Sequence, residues 1–309
     1  MNSLTVQTTN QLQTADITDV MNRWTHFIEG TPRTVESYTR AIGQFQKWCS
    51  TNNVSQPTKE DIRCFRDELN TRCKPTTVNA YLSACKCFFR WTAEEQIYPD
   101  IAQNVKSVKL SKGHRKDELT AAQAKTLLGS IDRTTLNGKR DFAIISVMLT
   151  TGMRDIEIMR ADIGDLRPLG DFTALYYQGK GRHEKTAFKK IAPVVEAAIR
   201  DYLSARGSHA DEDPLFISMA NRNKGNRLTT KSISRIVKGR LRDAGFDSSR
   251  WTAHSLRHTA AMIALLNGTP IEEIQSMMDH ESITTTMIYA GHASKAARQA
   301  EQNIASALF

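Results

Sequence analysis

Apolar residues recur every three or four positions through most of the chain, the mark of helices that bury one face. Val20, Trp24, Phe27 and Ile28 carry this spacing from Asp19 onward, and Val35, Tyr38, Ile42, Phe45 and Trp48 repeat it. Gly30-Thr31-Pro32 interrupts the two runs, and Thr34 is placed to cap the second. Thr58, ahead of Lys59-Glu60-Asp61, opens a third helix with Ile62, Phe65 and Leu69 on its apolar face. Lys74-Pro75-Thr76 separates it from a fourth, running from Val78 to about Gln96. The spacing predicts a first domain that is entirely helical, with about four or five helices. Residues 1–15, rich in Thr, Gln and Asn, have no period and read as a flexible tail, with order beginning near Asp16.

After Glu118 the helical period returns over Ala121–Ser130, Lys139–Leu149 and Ile156–Arg160. A different signal follows. Thr173–Gln178 and Thr186–Ile191 are short and β-prone and flank Gly179-Lys180-Gly181, which predicts a hairpin in an otherwise helical domain. Further helices are expected at Val194–Ser204, Lys231–Ala244, His254–Asn267, Pro270–Met278 and Thr284–Tyr289. The resulting organisation is a tail 1–15, a helical domain 16–103, a linker 104–117, a second domain 118–290 and a C-terminal tail 291–309.

A length of 309 residues accommodates two domains of ordinary size, each able to bury a core without metal or disulfide staples. Hydrophobic content of 40% with 24% charged residues excludes the disordered class. The richest apolar run, Phe142–Leu149, is less than half of the roughly 20 residues a bilayer span requires. The opening MNSLTVQTTN lacks the basic and apolar regions of a secretory signal, so a cytoplasmic protein without membrane contact is expected. A formal net charge of +9 favours a polyanionic partner, nucleic acid or an anionic membrane surface. The five cysteines, at 49, 64, 73, 85 and 87, have no CxxC spacing and read as buried reduced thiols on helices, a redox role for Cys85 and Cys87 being the alternative. The linker carries Lys106, Lys109, Lys112, Arg115 and Lys116; it is either a solvated connector or a strap that tracks phosphates.

Four stretches place ionisable residues at helical spacing or beside glycine. In Thr150-Thr151-Gly152-Met153-Arg154-Asp155-Ile156-Glu157, Arg154 and Glu157 share a helix face, so the carboxylate can fix the guanidinium; an ordinary surface ion pair is the simpler reading. The hairpin tip presents Lys180 between two glycines, followed by Arg182, His183, Lys185, Lys189 and Lys190; a solvated basic turn is the simpler reading. In His254-Ser255-Leu256-Arg257-His258, His254 and Arg257 share a face and His258 is expected to turn away into the core. The HxxxH spacing invites zinc, but Ser255 stands where a zinc protease needs Glu, so no metal site is expected. The last stretch runs from Met278-Asp279-His280 to Tyr289.

Together and in this order, these stretches resemble the tyrosine recombinase family, the phage-integrase and Xer-like enzymes, whose pattern runs Arg, Lys, His-x-x-Arg, His or Trp, Tyr. TGMRDIE resembles the first arginine box, QGKGRHEK the hairpin lysine, HSLRHT the second box and DHESITTTMIY the segment joining the last histidine to the nucleophile. TVESYTRAIGQFQKW and TTVNAYLSACKCFFRW resemble the family's core-binding domain, and the match covers roughly residues 17–290. Two departures stand out. Asp279 occupies a place usually held by Gly and is read as a turn cap rather than a tuner of the local field, and Asn104-Val105 replaces the common Asn-Pro at the domain exit.

The resemblance implies a mainly α fold with a small β element, arranged as a two-domain C-shaped clamp: a helical, SAM-like core-binding domain and a catalytic domain. It implies a site-specific recombinase acting on a double-stranded DNA recombination site through a 3′-phosphotyrosyl intermediate and a Holliday junction, for integration or excision of a mobile element or resolution of DNA molecules. The implied catalytic residues are Arg154, Lys180, His254, Arg257, His280 and Tyr289, with Glu157 orienting and with Arg182, Lys185, Lys106, Lys109 and Lys112 as DNA contacts. Lys180 is the implied general acid, and His254 accepts the tyrosine proton or donates to phosphate. No cofactor is needed, and a divalent metal is redundant where cationic side chains carry the charge. The implied assembly is a homotetramer on two duplexes, with room for an accessory directionality factor. The tail stripe Ala297, Ala300, Ile304 and Leu308 is the expected docking element between protomers, or else packs within its own chain. A type IB topoisomerase- or telomere resolvase-like strand transferase is the nearest alternative, and a non-catalytic DNA-binding regulator a more distant one.

Overall fold

The computed structural model describes residues 17–110, 118–179, 182, 184–207, 209–296 and 300–308. Two compact units divide between Gly113 and His114. The chain is mainly helical with one small sheet, the class that the periodicity predicts.

The first unit is built from α1 (Ile17–Phe27), α2 (Pro32–Thr51), α3 (Lys59–Arg72) and α4 (Pro75–Glu94). The expected cap of α2 is corrected by three residues. Thr31, not Thr34, is the cap: its side chain accepts the Thr34 backbone N–H, and Pro32 fills the first helical position, where no N–H is needed. The apolar faces meet in an aromatic core. Phe45 packs edge-on against Phe65 and Phe89, with centroids 5.2 and 5.9 Å away, and Trp24 packs edge-on against Phe88 at 5.1 Å. Cys49 and Cys85 lie buried in this core, and burial pushes their thiols up to about 11 and about 12, so neither is a reactive thiolate at neutral pH. Cys64 departs from the expectation of burial: it is exposed.

The first part of the expected linker is docked rather than free. The Asn79 side chain accepts the Val108 N–H at 2.8 Å and donates to the Val108 carbonyl at 2.9 Å, and Val105 is buried. Val105 also donates its N–H to the Ala102 carbonyl at 3.3 Å, a bond that proline in its place has no hydrogen to make. Lys106 and Lys109 remain exposed on this segment, whereas Lys112, Arg115 and Lys116 lie outside the described residues.

The second unit is organised around α6 (Leu136–Thr151), which carries the apolar run Phe142–Leu149 and is buried on nearly every side. The apolar run is thus a core helix. Preceding it is α5 (Ala121–Gly129); following it are α7 (Asp155–Arg160) and three antiparallel strands, β1 (Leu166–Leu169), β2 (Phe172–Tyr177) and β3 (Ala187–Ile191), in the order β1-β2-β3. The predicted hairpin is β2–β3, and β1 adds an edge strand. Then come α8 (Pro193–Arg206), α9 (Thr230–Asp243), α10 (Ala253–Leu266), α11 (Ile271–Met277), α12 (Ile283–Ala296) and α13 (Ala300–Leu308). Helices α8 and α10 and strand β3 pack on α6. The expected boundary at residue 290 falls inside α12, because nothing in Ile283–Ala296 breaks a helix. Of the tail stripe, Ile304 and Leu308 are exposed, Ala297 lies outside the described residues, and Ala300 is described only as part of α13. Among the described residues no helix is long and apolar enough to cross a membrane.

Candidate active site

Gly152 ends α6 in the left-handed conformation, φ +64°, and turns the chain back toward α10 and α11. A Cβ at this position would stand 2.8 Å from the Met278 sulfur, so the close approach also requires glycine. Two residues later Arg154 caps α7. Its backbone N–H and its guanidinium each donate to Glu157, both at 2.7 Å, and Glu157 is only 1% exposed. The carboxylate holds both the start of the helix and the direction of the arginine.

Arg257, on α10, is buried and donates to the Gly152 carbonyl and the Met278 carbonyl. Arg154 reaches the same Met278 carbonyl at 3.5 Å. Two guanidiniums from elements far apart in sequence therefore converge on one oxygen at the end of α11. Burial first, then the charge of Arg154, pushes Arg257 below its ordinary value. Arg154, His254 and Arg257 line a cleft of about 210 Å3 together with Met153, Asp155 and Ser234. His254 is exposed at this cleft.

His280 follows α11. Its Nδ1 lies 2.9 Å from the buried Thr286 hydroxyl, and its carbonyl accepts from the Gln275 side chain at 3.0 Å. Burial, then the charges of Arg257 and Arg154, pulls its imidazole down to about 4, so the ring is neutral at pH 7. Tyr289, on α12, is 2% exposed, and its ring lies parallel to that of His280 with centroids 6.5 Å apart. Burial pushes its phenol up to about 12, against the opposing pull of Arg257.

The expectation for His258 needs correction. The residue is buried, but it does not turn away from the site: its Nδ1 lies 2.7 Å from the Tyr289 hydroxyl, and its ring packs edge-on against His254, centroids 4.6 Å apart. Residues four apart lie on one helix face, so the HxxxH spacing was the available signal, although it leads to tyrosine rather than zinc.

Asp279 is also corrected. It adopts φ +47°, which explains why the pattern favours glycine there, but it is not a simple turn cap. Its carboxylate accepts from Lys189 on β3 at 2.7 Å, and Lys189 also donates to the Met277 carbonyl at 2.8 Å. The place of Lys189 in the site was missed. Along β3 the side chains alternate, and Lys189 falls on the inward face between Ala187 and Ile191, a charged residue at a core position.

Lys180 lies outside the described residues. Two residues beyond it Arg182 is exposed, whereas Lys185, nearer the start of β3, is held by Asp162 and Asp165, each at 2.5 Å. Lys185 was expected to face DNA; two carboxylates occupy its ammonium instead.

Comparison with known proteins gives a consistent picture. The model of the phage integrase family matches residues 117–296, and the model described as the phage integrase N-terminal SAM-like domain matches residues 20–98. The tyrosine recombinase XerC of Herpetosiphon aurantiacus is 30% identical over 270 residues, 84% of each chain. The tyrosine recombinase XerC of Chlamydia caviae is 29% identical over 248 residues, 79% of this chain and 77% of that one. Among solved structures, the XerH site-specific recombinase on a palindromic difH substrate, post-cleavage, superposes with a TM-score of 0.73 at 19% identity, covering 94% of this chain and 86% of that one. A lambda integrase dimer bound to a COC′ core site gives a TM-score of 0.68 at 15% identity, covering 89% and 77%. The structural matches are likenesses of fold.

Proposed function

The chain belongs to the phage integrase family, and from that membership we propose how its residues divide the work of breaking and rejoining DNA. The protein is a site-specific DNA recombinase, an enzyme that cleaves and rejoins strands at a DNA recombination site. Its Xer-type relatives do not favour the topoisomerase-like or non-catalytic alternatives.

In the proposed reaction the Tyr289 oxygen attacks a DNA phosphorus, forming a 3′-phosphotyrosyl bond as the P–O5′ bond breaks. The phosphodiester energy is kept in the new bond, so rejoining is the same step in reverse. The observation that carries this reading is the convergence of Arg154 and Arg257 on the Met278 carbonyl, within the shell that also holds Tyr289 and His280. Guanidinium donors fixed in advance stabilise charge that develops on non-bridging oxygens without reorganising at the moment of reaction. Glu157 positions Arg154, and neutral His280 offers the phosphate a hydrogen bond without adding charge. His254, exposed at the cleft, donates to phosphate. Lys180 delivers the proton that the leaving 5′-oxygen requires.

The same reading takes the enzyme to act as a homotetramer on two duplexes through a Holliday junction, with an accessory factor setting direction, in the cytoplasm where its DNA lies. The exposed Ile304 and Leu308 support docking of α13 onto a neighbouring protomer. The test is covalent trapping on a nicked suicide duplex carrying the cognate site, identified by mapping cleavage on a DNA library. The parent is expected to form a protein–DNA adduct stable to denaturant, and Tyr289→Phe to bind the duplex but form none. Equal adducts from both proteins remove Tyr289 as nucleophile.

A further inference from the structure

A buried phenol pushed up to about 12 is protonated at neutral pH, and a protonated phenol is a poor nucleophile. Its proton must go to a group already in contact with the oxygen when attack begins. Arginine cannot accept it. The His280 ring lies parallel to that of Tyr289 with centroids 6.5 Å apart, and its Nδ1 is engaged with Thr286. His254 is one helical turn from His258 and packs edge-on against its ring. His258 Nδ1 lies at hydrogen-bond distance from the Tyr289 oxygen, 2.7 Å.

We propose that His258 is a further catalytic residue, the base that takes the phenolic proton of Tyr289. The proposal rests on the recombinase reading above. In the competent tautomer the imidazole proton sits on Nε2, leaving the Nδ1 lone pair to accept from the phenol. As the Tyr289 oxygen bonds to phosphorus, its proton passes to Nδ1, the P–O5′ pair leaves with the 5′-oxygen, and that oxygen is protonated by the separate acid. In rejoining, the imidazolium returns the proton to the departing phenolate. His258 is well placed to do this repeatedly. It is fixed in the middle of α10 between buried Arg257 and Thr259, so the base and the phosphate-binding arginine share one rigid backbone.

The experiment compares single-turnover adduct formation on the suicide duplex with the ordinary 5′-oxygen leaving group and with sulfur in its place. A thiolate leaves without a proton, so sulfur bypasses the acid but not the base. His258→Asn keeps an amide oxygen able to accept the phenol hydrogen bond but unable to take up the proton. It is expected to bind the duplex like the parent and to lose about 10²–10⁴-fold in rate on both substrates. Lys180→Ala is expected to lose rate on oxygen and recover it on sulfur. His258→Gln is the second variant. Difluorotyrosine at position 289, a phenol that ionises more readily, is expected to restore much of the rate lost in either His258 variant, which a merely structural defect would not allow. The proposal is overturned if His258→Asn or His258→Gln forms adduct within a few-fold of the parent, if sulfur alone rescues them, or if difluorotyrosine does not. A parent that forms no adduct at all overturns the recombinase reading instead.

Discussion

Lys189, which is buried, and Asp279, ninety positions away, form an ion pair that ties strand β3 to the turn leading into His280. The Met277 carbonyl accepts from the same ammonium, and the next carbonyl, Met278, accepts from both arginines. Three cations thus fix two successive peptide units at the end of α11, and the hairpin that carries Lys180 is anchored to the elements that position His280 and Tyr289.

That pair opposes two effects at one residue. Asp279→Gly relieves the left-handed backbone, worth about 1–2 kcal/mol, but leaves the Lys189 ammonium buried without its anion, which costs about 3–5 kcal/mol in a well-buried pair. The Asp279 side chain is 36% exposed, so the net loss is expected near 2 kcal/mol. Thermal midpoints check this: Asp279→Gly should melt below the parent, and adding Lys189→Met should recover most of the difference. A single variant more stable than the parent would show that the backbone strain dominates.

Salt dependence separates the lysines that face solvent from the one already paired. Lys106, Lys109 and Arg182 are exposed, whereas Lys185 bridges Asp162 and Asp165. Burial works against ionisation of Asp162, but hydrogen bonds from Lys185 and Arg227 outweigh it and hold the carboxyl below its usual range. A phosphate contact adds about 0.9 to the slope of log K against log salt. Neutralising Lys106, Lys109 or Arg182 to Gln is therefore expected to lower the slope by about that amount each. Lys185→Gln should leave the slope unchanged and lower the thermal midpoint, by loosening the β2–β3 base from the Asp162–Asp165 turn. Binding isotherms at several salt concentrations decide it.

The helices were legible because their apolar faces repeat over several turns, as with Val35 to Trp48, and because long runs such as Phe142–Leu149 have few other ways to be buried. The ends were less so. Thr31 and Thr34 are both good caps, and only Pro32 between them decides which one is used. Strand β1 was invisible: four residues with Pro168 among them carry no alternation, and β1 exists because β2 offers it an edge. In the site, the residues at short helical spacing, such as Arg154 and Glu157, could be paired from sequence alone. Lys189 and Asp279 could not, since their contact depends on how β3 lies against α11, and the direction of His258 depends on where α12 runs.

His280 makes the stability of the DNA-free protein depend on pH in a definite direction. Its imidazole is held at about 4 against an ordinary 6.5, by burial and by Arg257 and Arg154. Between those values the unfolded chain binds more protons than the folded one, so stability rises with pH across the window and falls as acid is added, with no further loss from this group below about pH 4. The ring is partly open to solvent, which reduces the effect to the order of 1 kcal/mol. His280→Asn keeps a polar partner for Thr286 but has no proton to gain. The thermal midpoint of the parent is expected to fall more steeply than that of His280→Asn between pH 7 and about pH 4.5. A phosphate seated between the arginines offsets their charge, so the cognate duplex should raise the imidazole and flatten the difference. Parallel curves for the two DNA-free proteins would mean that neither burial nor the arginine charges lower the His280 imidazole.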